Sequence, residues 1–194
     1  NAMLKYIYPC TPNRIAHDSD MMEQLDNNPG WIAEIKKNGW RCLAVHDENG
    51  LILWTRHKTL IHDMLPMVRA GLSRLPLGTM VDGELLNRRG GSKDYFYGFD
   101  LIYVEGKYIA DWPLHARRKE LKRIFPAAAN LELATQWVAN KRDVYFESIS
   151  TKDNEGIVIK ALHSLYKASK TGCAINPHWL KVKRVEDHIK VGAA

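Results

Sequence analysis

Three features of the sequence predict an α+β fold built on antiparallel β-sheets flanked by helices. Short apolar or alternating runs outnumber helical ones, and several are joined by tight turns such as Asn38-Gly39, "DENG" and Glu105-Gly106. The helical segments are interspersed without regular βαβ alternation. With 194 residues, 45% hydrophobic and 26% charged, the chain has enough apolar surface to bury a core and reads as one globular unit. It carries no repeat, no low-complexity tract and no Gly/Ser/Pro linker that would divide it.

The elements follow in order. "NA" at positions 1 and 2 reads as an expression scar ahead of Met3. "HDSDMMEQLDN" opens with capping residues and predicts a short helix that stops before Pro29-Gly30. "WIAEIKK" and "WRCLAVHD" read as paired strands across Asn38-Gly39, and "DENG" turns the second into "LILWTRH". Leu65, Val68, Leu72 and Leu75 have helical spacing, and Pro76 and Gly78 stop that helix. Strands "TMVDGELL" and "YFYGFDLIYV" come next. Pro113 then starts a helix, "PLHARRKELKRIF", that turns Leu114, Leu121, Ile124 and Phe125 inward. After "LELATQWVA", a helix near 141–152 and strands "GIVIKAL" and "WLKVKR" complete the order.

Lys+Arg 28 against Asp+Glu 22 leaves a net charge of +6, which favours anionic partners such as nucleotides or nucleic acid. Three widely spaced cysteines without a C-x-x-C predict neither a disulfide framework nor a zinc site and fit a reducing cytoplasm. No apolar run approaches the roughly 20 residues of a membrane helix. Strand alternation puts Ile32, Glu34 and Lys36 on one face and Trp31, Ala33, Ile35 and Lys37 on the other. A two-residue Asn38-Gly39 loop would pair Lys37 with Trp40 and Lys36 with Arg41. Two cations would then lie within about 5 Å at their Cβ atoms, an arrangement that expects a phosphate between them.

"EIKKNGWR" resembles the K-x-D-G-x-R signature of the covalent nucleotidyltransferases, the superfamily of ATP-dependent DNA ligases, RNA ligases and mRNA capping enzymes. The other signatures stand in the family's order: Thr55-Arg56, "VDGELL" at 81–86, "GFDLIYVEG" at 98–106, "EGIVIK" at 155–160 and "WLKVKR" at 179–184. "FDLIYVEG" followed by "PLHARRKEL" is most similar to the ATP-dependent DNA ligases. The resemblance implies the DNA ligase/mRNA capping enzyme catalytic fold, which is ATP-grasp-like. It also implies an adenylation domain that forms a lysyl-AMP intermediate from ATP and passes AMP to the 5′-phosphate of a nick.

Lys36 would then be the nucleophile. Deprotonating an ordinary lysine at neutral pH costs about 4 kcal/mol, so neighbouring cations (Arg41, Lys181, Lys183) or Mg²⁺ must lower that cost. The resemblance further implies an ATP-binding set of Glu34, Lys36, Arg41, Glu84, Phe99, Lys160, Lys181 and Lys183. In that set Glu34 accepts from the adenine amino group and Phe99 stacks on the purine. Glu84 meets the ribose, and Lys160 lies beside the phosphates. Glu155 and Glu84 would hold Mg²⁺, whose oxygen preference they suit. Arg41 and Arg56 would contact the nicked DNA. Read without the family, Glu34 is an ordinary salt-bridge residue, Phe99 a core phenylalanine, and Lys181 and Lys183 the solubilising lysines of an edge strand.

Two departures qualify the match: Asn38 replaces the family aspartate, and the sequence stops shortly after "WLKVKR", where relatives continue into an OB-fold. The expected organisation is an adenylation domain over 3–188 and a tail at 189–194, with a truncated or separate OB-fold as a partner of a cytoplasmic monomer acting on nicked double-stranded DNA. RNA ligase, a GTP-using capping enzyme and a non-catalytic nucleic-acid clamp are the alternatives.

Overall fold

The computed structural model describes residues 3–86 and 94–185; the scar and tail expected at the two ends lie outside the described residues. Among the described residues the chain forms, in order, β1 (Thr11–Arg14), α1 (Asp20–Leu25), β2 (Trp31–Lys37), β3 (Trp40–Asp47), β4 (Gly50–Trp54), α2 (Pro66–Leu72) and β5 (Thr79–Leu86). There follow β6 (Tyr95–Val104), β7 (Lys107–Tyr108), α3 (Leu114–Ile124), β8 (Leu131–Leu133), α4 (Lys141–Ser148), β9 (Asn154–Ala161) and β10 (Ile175–Lys183). The α+β expectation holds. The ladders are antiparallel except for two, β1 with β10 and β6 with β8, which are parallel.

The sequence without a linker nonetheless builds two compact units. The first comprises 1–10, 39–134 and 165–174, the second 11–38, 135–164 and 175–194. Because the chain passes from one to the other at 10/11, 38/39, 134/135, 164/165 and 174/175, neither is a continuous stretch. Composition therefore shows no boundary.

One correction concerns the motif at 34–41. β2 and β3 are not a hairpin: β2 pairs with β9, whereas β3 pairs with β4 and β5. The expected Lys36–Arg41 and Lys37–Trp40 pairs do not form. A type I′ hairpin needs positive φ at both central residues, and neither Asn38 nor Gly39 has it. Gly39 is required for a different reason, since a Cβ there would lie 2.2 Å from the Leu85 carbonyl oxygen. The Asn-Gly signal marks the crossing between two sheets.

In the first unit the sheet runs β4-β3-β5-β6-β7, with β8 added to β6. Cys42, Val81 and Phe96 of its inner face pack with Val68 and Leu72 of α2 and Leu121 of α3. Helix α3 is also held by charge. Arg117 Nε and Nη2 donate to Asp100 Oδ1 and Oδ2 at 2.8 and 3.1 Å, and both side chains are fully buried. This pair joins "GFDLIYVEG" to "PLHARRKEL", which accounts for their occurring together. Phe125, expected inside α3, follows its last residue and still packs on the core from the C-cap position. Helix α2 ends at Leu72, four residues before Pro76.

The second unit has the sheet order β1-β10-β9-β2. One face carries Ala33, Ile157, Ile159, Leu180 and Val182, which pack with Met22 and Leu25 of α1 and Tyr145 of α4. Ser19 caps α1, its Oγ accepting from Met22 N at 3.1 Å. The helix expected near 141–152 is α4, and "LELATQWVA" contributes the short strand β8. Strand period assigns the opposite face to Glu34, Lys36, Lys160, Lys181 and Lys183.

Candidate active site

The polar face of the second unit concentrates charge. Lys36 Nζ donates to Glu155 Oε2 at 2.8 Å, and about a quarter of each side chain is exposed. Strict alternation would put Glu155 on the core face with Ile157 and Ile159. A bulge prevents that: Lys36 pairs with Gly156 and Lys37 with Asn154, so Glu155 is the extra residue of β9 and turns toward Lys36. Gly156 makes the bulge possible, with φ +138° and a position where a Cβ would meet the Val182 carbonyl oxygen at 1.9 Å.

Glu34 is buried, and its Oε1 lies 2.7 Å from Lys160 Nζ. Its Oε2 accepts from Gln136 Nε2 at 2.9 Å. The Lys160 ammonium also stands 3.9 Å from the centre of the Trp179 ring. Lys181 and Lys183 project from β10, an interior strand between β1 and β9, so the edge-strand reading of these lysines fails. Burial, followed by the like charges of Lys36, Lys183 and Arg14, holds the Lys181 ammonium below the usual lysine range.

A second group lies in the first unit. Arg41 makes a bidentate pair with buried Asp82, Nε to Oδ1 at 2.7 Å and Nη2 to Oδ2 at 2.6 Å, and Nη2 also donates to the Cys10 carbonyl at 2.8 Å. Tyr166 Oη donates to Asp82 Oδ2 at 2.6 Å. Burial opposes the Arg41 charge, yet the Asp82 carboxylate keeps the guanidinium well above its ordinary range. The Arg41 guanidinium stands 5.1 Å from the centre of the Phe99 ring.

Phe99 is half-buried, and it too is a bulge residue: Asp82 pairs with Asp100 and Gly83 with Gly98, leaving Phe99 extra. Phe96 of this strand is fully buried, whereas Phe99, partly buried, packs against the cluster of Leu86, Tyr95, Tyr97 and Ala134. Glu84, paired with Arg41 in the ladder, accepts from Gly39 N at 3.2 Å. Arg56 is exposed in the turn after β4, where its carbonyl accepts the Cys173 thiol.

The structure thus joins Lys36 with Glu155 and Glu34 with Lys160, and in the other unit it joins Arg41 with Phe99. Sequence reading missed Gln136, Asp82 and Tyr166. Asp82 had a signal, lying two residues before Glu84 within "VDGELL". Tyr166 and Gln136 had none, because their partners lie 84 and 102 residues away.

A family model described as the ATP dependent DNA ligase domain matches residues 90–183. The SPbeta prophage-derived DNA ligase-like protein LigB of Bacillus subtilis (strain 168) is 29% identical over 174 residues, covering 80% of this chain. These matches support an adenylation domain of the nucleotidyltransferase superfamily. The fold agrees. The chain superposes on the ligase domain of M. tuberculosis LigD with a TM-score of 0.66 at 20% identity, covering 90% of this chain. On mycobacterial DNA ligase D complexed with ATP and MES the TM-score is 0.63 at 19% identity, covering 89% of this chain. It spans only part of these relatives: 62% of the Bacillus protein, 59% of the LigD chain and 60% of the ATP-complexed chain.

Among the described residues, neither Glu155 nor Glu84 belongs to a group of three or more His, Cys, Asp or Glu side chains that could hold a metal. Glu155, about a quarter exposed beside Lys36, is an oxygen donor of the kind that Mg²⁺ takes singly, together with waters and substrate phosphates. Among the described residues no helix is long and apolar enough to cross a membrane.

Proposed function

We propose that the adenylation domain charges Lys36 with AMP from ATP, for transfer to the 5′-phosphate of a DNA nick. The observation that carries this reading is the Lys36–Glu155 pair on the strand face that also carries Glu34, Lys160, Lys181 and Lys183. The neutral Lys36 amine attacks the α-phosphorus, an N–P bond forms, and the bond to the β-phosphate oxygen breaks. Pyrophosphate leaves with the electron pair. Glu155 Oε2, 2.8 Å from Nζ, orients the amine and lies within reach of its proton.

Lys181 and Lys183 neutralise phosphate charge. Phe99 stacks on the purine, Glu34 and Glu84 receive the adenosine, and Lys160, clamped by Glu34, lies beside the phosphates. Glu155 and Glu84 would hold Mg²⁺, which when bound supplies further positive charge to the phosphates. Arg41, oriented by Asp82, and Arg56 serve the nicked strand. DNA rather than RNA is supported by the family match and by the names of the relatives. Sealing of this kind serves DNA repair, replication and recombination, in the cytoplasm, with an OB-fold as the partner domain of a monomer.

Incubation with Mg²⁺ and ATP or GTP labelled at the α-phosphate, followed by a denaturing gel and peptide mapping, tests the reading. The label is expected from ATP, on Lys36, and absent from Lys36→Ala. Label on Lys37, or a labelled Lys36→Ala protein, contradicts it.

A further inference from the structure

Arg14 belongs to none of the motifs that carry the family resemblance, yet it faces the lysines of the candidate site. It ends β1 and is the Cα partner of Lys181 in the parallel β1–β10 ladder. Its Nη2 atom is buried with no hydrogen-bond partner among the described residues. A buried guanidinium N–H left unpaired is costly, so such a group is satisfied when a ligand supplies the acceptor. Beside it, a cavity of about 370 Å³ is lined by Arg14, Lys183 and His17, with Asp18 as a carboxylate on the same wall.

We propose that Arg14, with Lys181 and Lys183, forms a second phosphate subsite that takes the pyrophosphate portion of the nucleoside triphosphate. The proposal rests on the adenylation reading, and the sheet order supports it. Lys36 stands on β2 at one edge of the sheet and Arg14 on β1 at the other, with Gly156 placing no side chain between Lys36 and Lys183 in their register row. Displacement at phosphorus runs in line, so the group that receives the leaving charge must lie across the α-phosphate from the nucleophile. The three cations at Arg14, Lys181 and Lys183 extend away from Lys36 in that sense. The planar fork of an arginine also suits two phosphate oxygens at once. The depression of the Lys181 ammonium, to which Lys36, Lys183 and Arg14 each contribute after burial, agrees with positive charge collected for an anion.

Calorimetric titration of wild type, Arg14→Ala, Arg14→Gln and Arg14→Lys with inorganic pyrophosphate, AMP and a nicked DNA duplex tests the subsite, with circular dichroism as the check on folding. Arg14→Ala and Arg14→Gln are expected to lose about tenfold in pyrophosphate affinity, the loss of a charge-assisted hydrogen bond, with AMP affinity unchanged. Arg14→Lys is expected to keep most of the pyrophosphate affinity. If the alanine variant does not fold, the contrast between the glutamine and lysine variants decides. Wild-type pyrophosphate affinity in Arg14→Gln overturns the proposal. So does a loss confined to the nicked duplex, which would give Arg14 to a DNA phosphate. Pyrophosphate binding needs no chemistry at Lys36. A chain that forms no lysyl-AMP but binds pyrophosphate through Arg14 therefore refutes the adenylation reading and leaves the subsite standing.

Discussion

Lys181 is the residue whose titration reports on what the lysine face is for. Burial is the largest cause of its lowered pKa, followed by Lys36, Lys183 and Arg14. The unfolded chain therefore binds more protons than the native one between the folded-state pKa and the ordinary lysine value. Stability should rise with pH across that window. A polyanion on this face reverses the effect, because it favours the charged ammonium. Titration of ATP into the protein at about pH 9, in buffers of differing ionisation enthalpy, is expected to show net proton uptake. Proton release would contradict the assignment of Lys181 to phosphate.

At the scale of elements, two bulges matter more than any helix. Glu155 and Phe99, two residues carried by the family resemblance, are each the extra residue of a bulge, so in neither strand does simple alternation give their direction. Gly156→Ala should show how much rests on this. Its Cβ would meet the Val182 carbonyl oxygen at 1.9 Å. We expect a loss of about 3 kcal/mol or more in urea denaturation, together with loss of Lys36 labelling. Glu155→Gln, in contrast, should keep its stability within about 1 kcal/mol, the range of a partly exposed ion pair. Equal stability of Gly156→Ala and wild type would show that the bulge relaxes freely.

The same elements show what the sequence made legible. The face shared by Glu34 and Lys36, the turn at Glu105-Gly106 and the order of the strands follow from local periodicity and glycine placement. The partner of β2 does not. Asn38-Gly39 carries the local chemistry of a hairpin, whereas the true partner, β9, lies more than a hundred residues further on and leaves no mark near the turn. The Asp82–Arg41–Tyr166 network was hidden for the same reason, because it gathers three strand or loop positions that only the folded chain brings together.

For the whole molecule, the two units differ in how they depend on the last strand. The first is complete by Ala174, whereas the second needs β10, which lies between β1 and β9 and brings Leu180 and Val182 to the core. A chain ending at Ala174 should keep slow hydrogen exchange in β3, β5 and β6 and lose it in β2 and β9. Mass-spectrometric exchange would check this, and protected amides in β2 would refute it.

The interior position of β10 also imposes a timetable on synthesis. At the usual 5–20 residues per second, β1 waits on the order of ten to thirty seconds before β10, its ladder partner among the described residues, leaves the ribosome. Glu155 is made 119 residues after Lys36. Until then Lys36 lacks the carboxylate that meets it in the folded chain. The Lys36–Glu155 pair can therefore form only after residue 155 has been made.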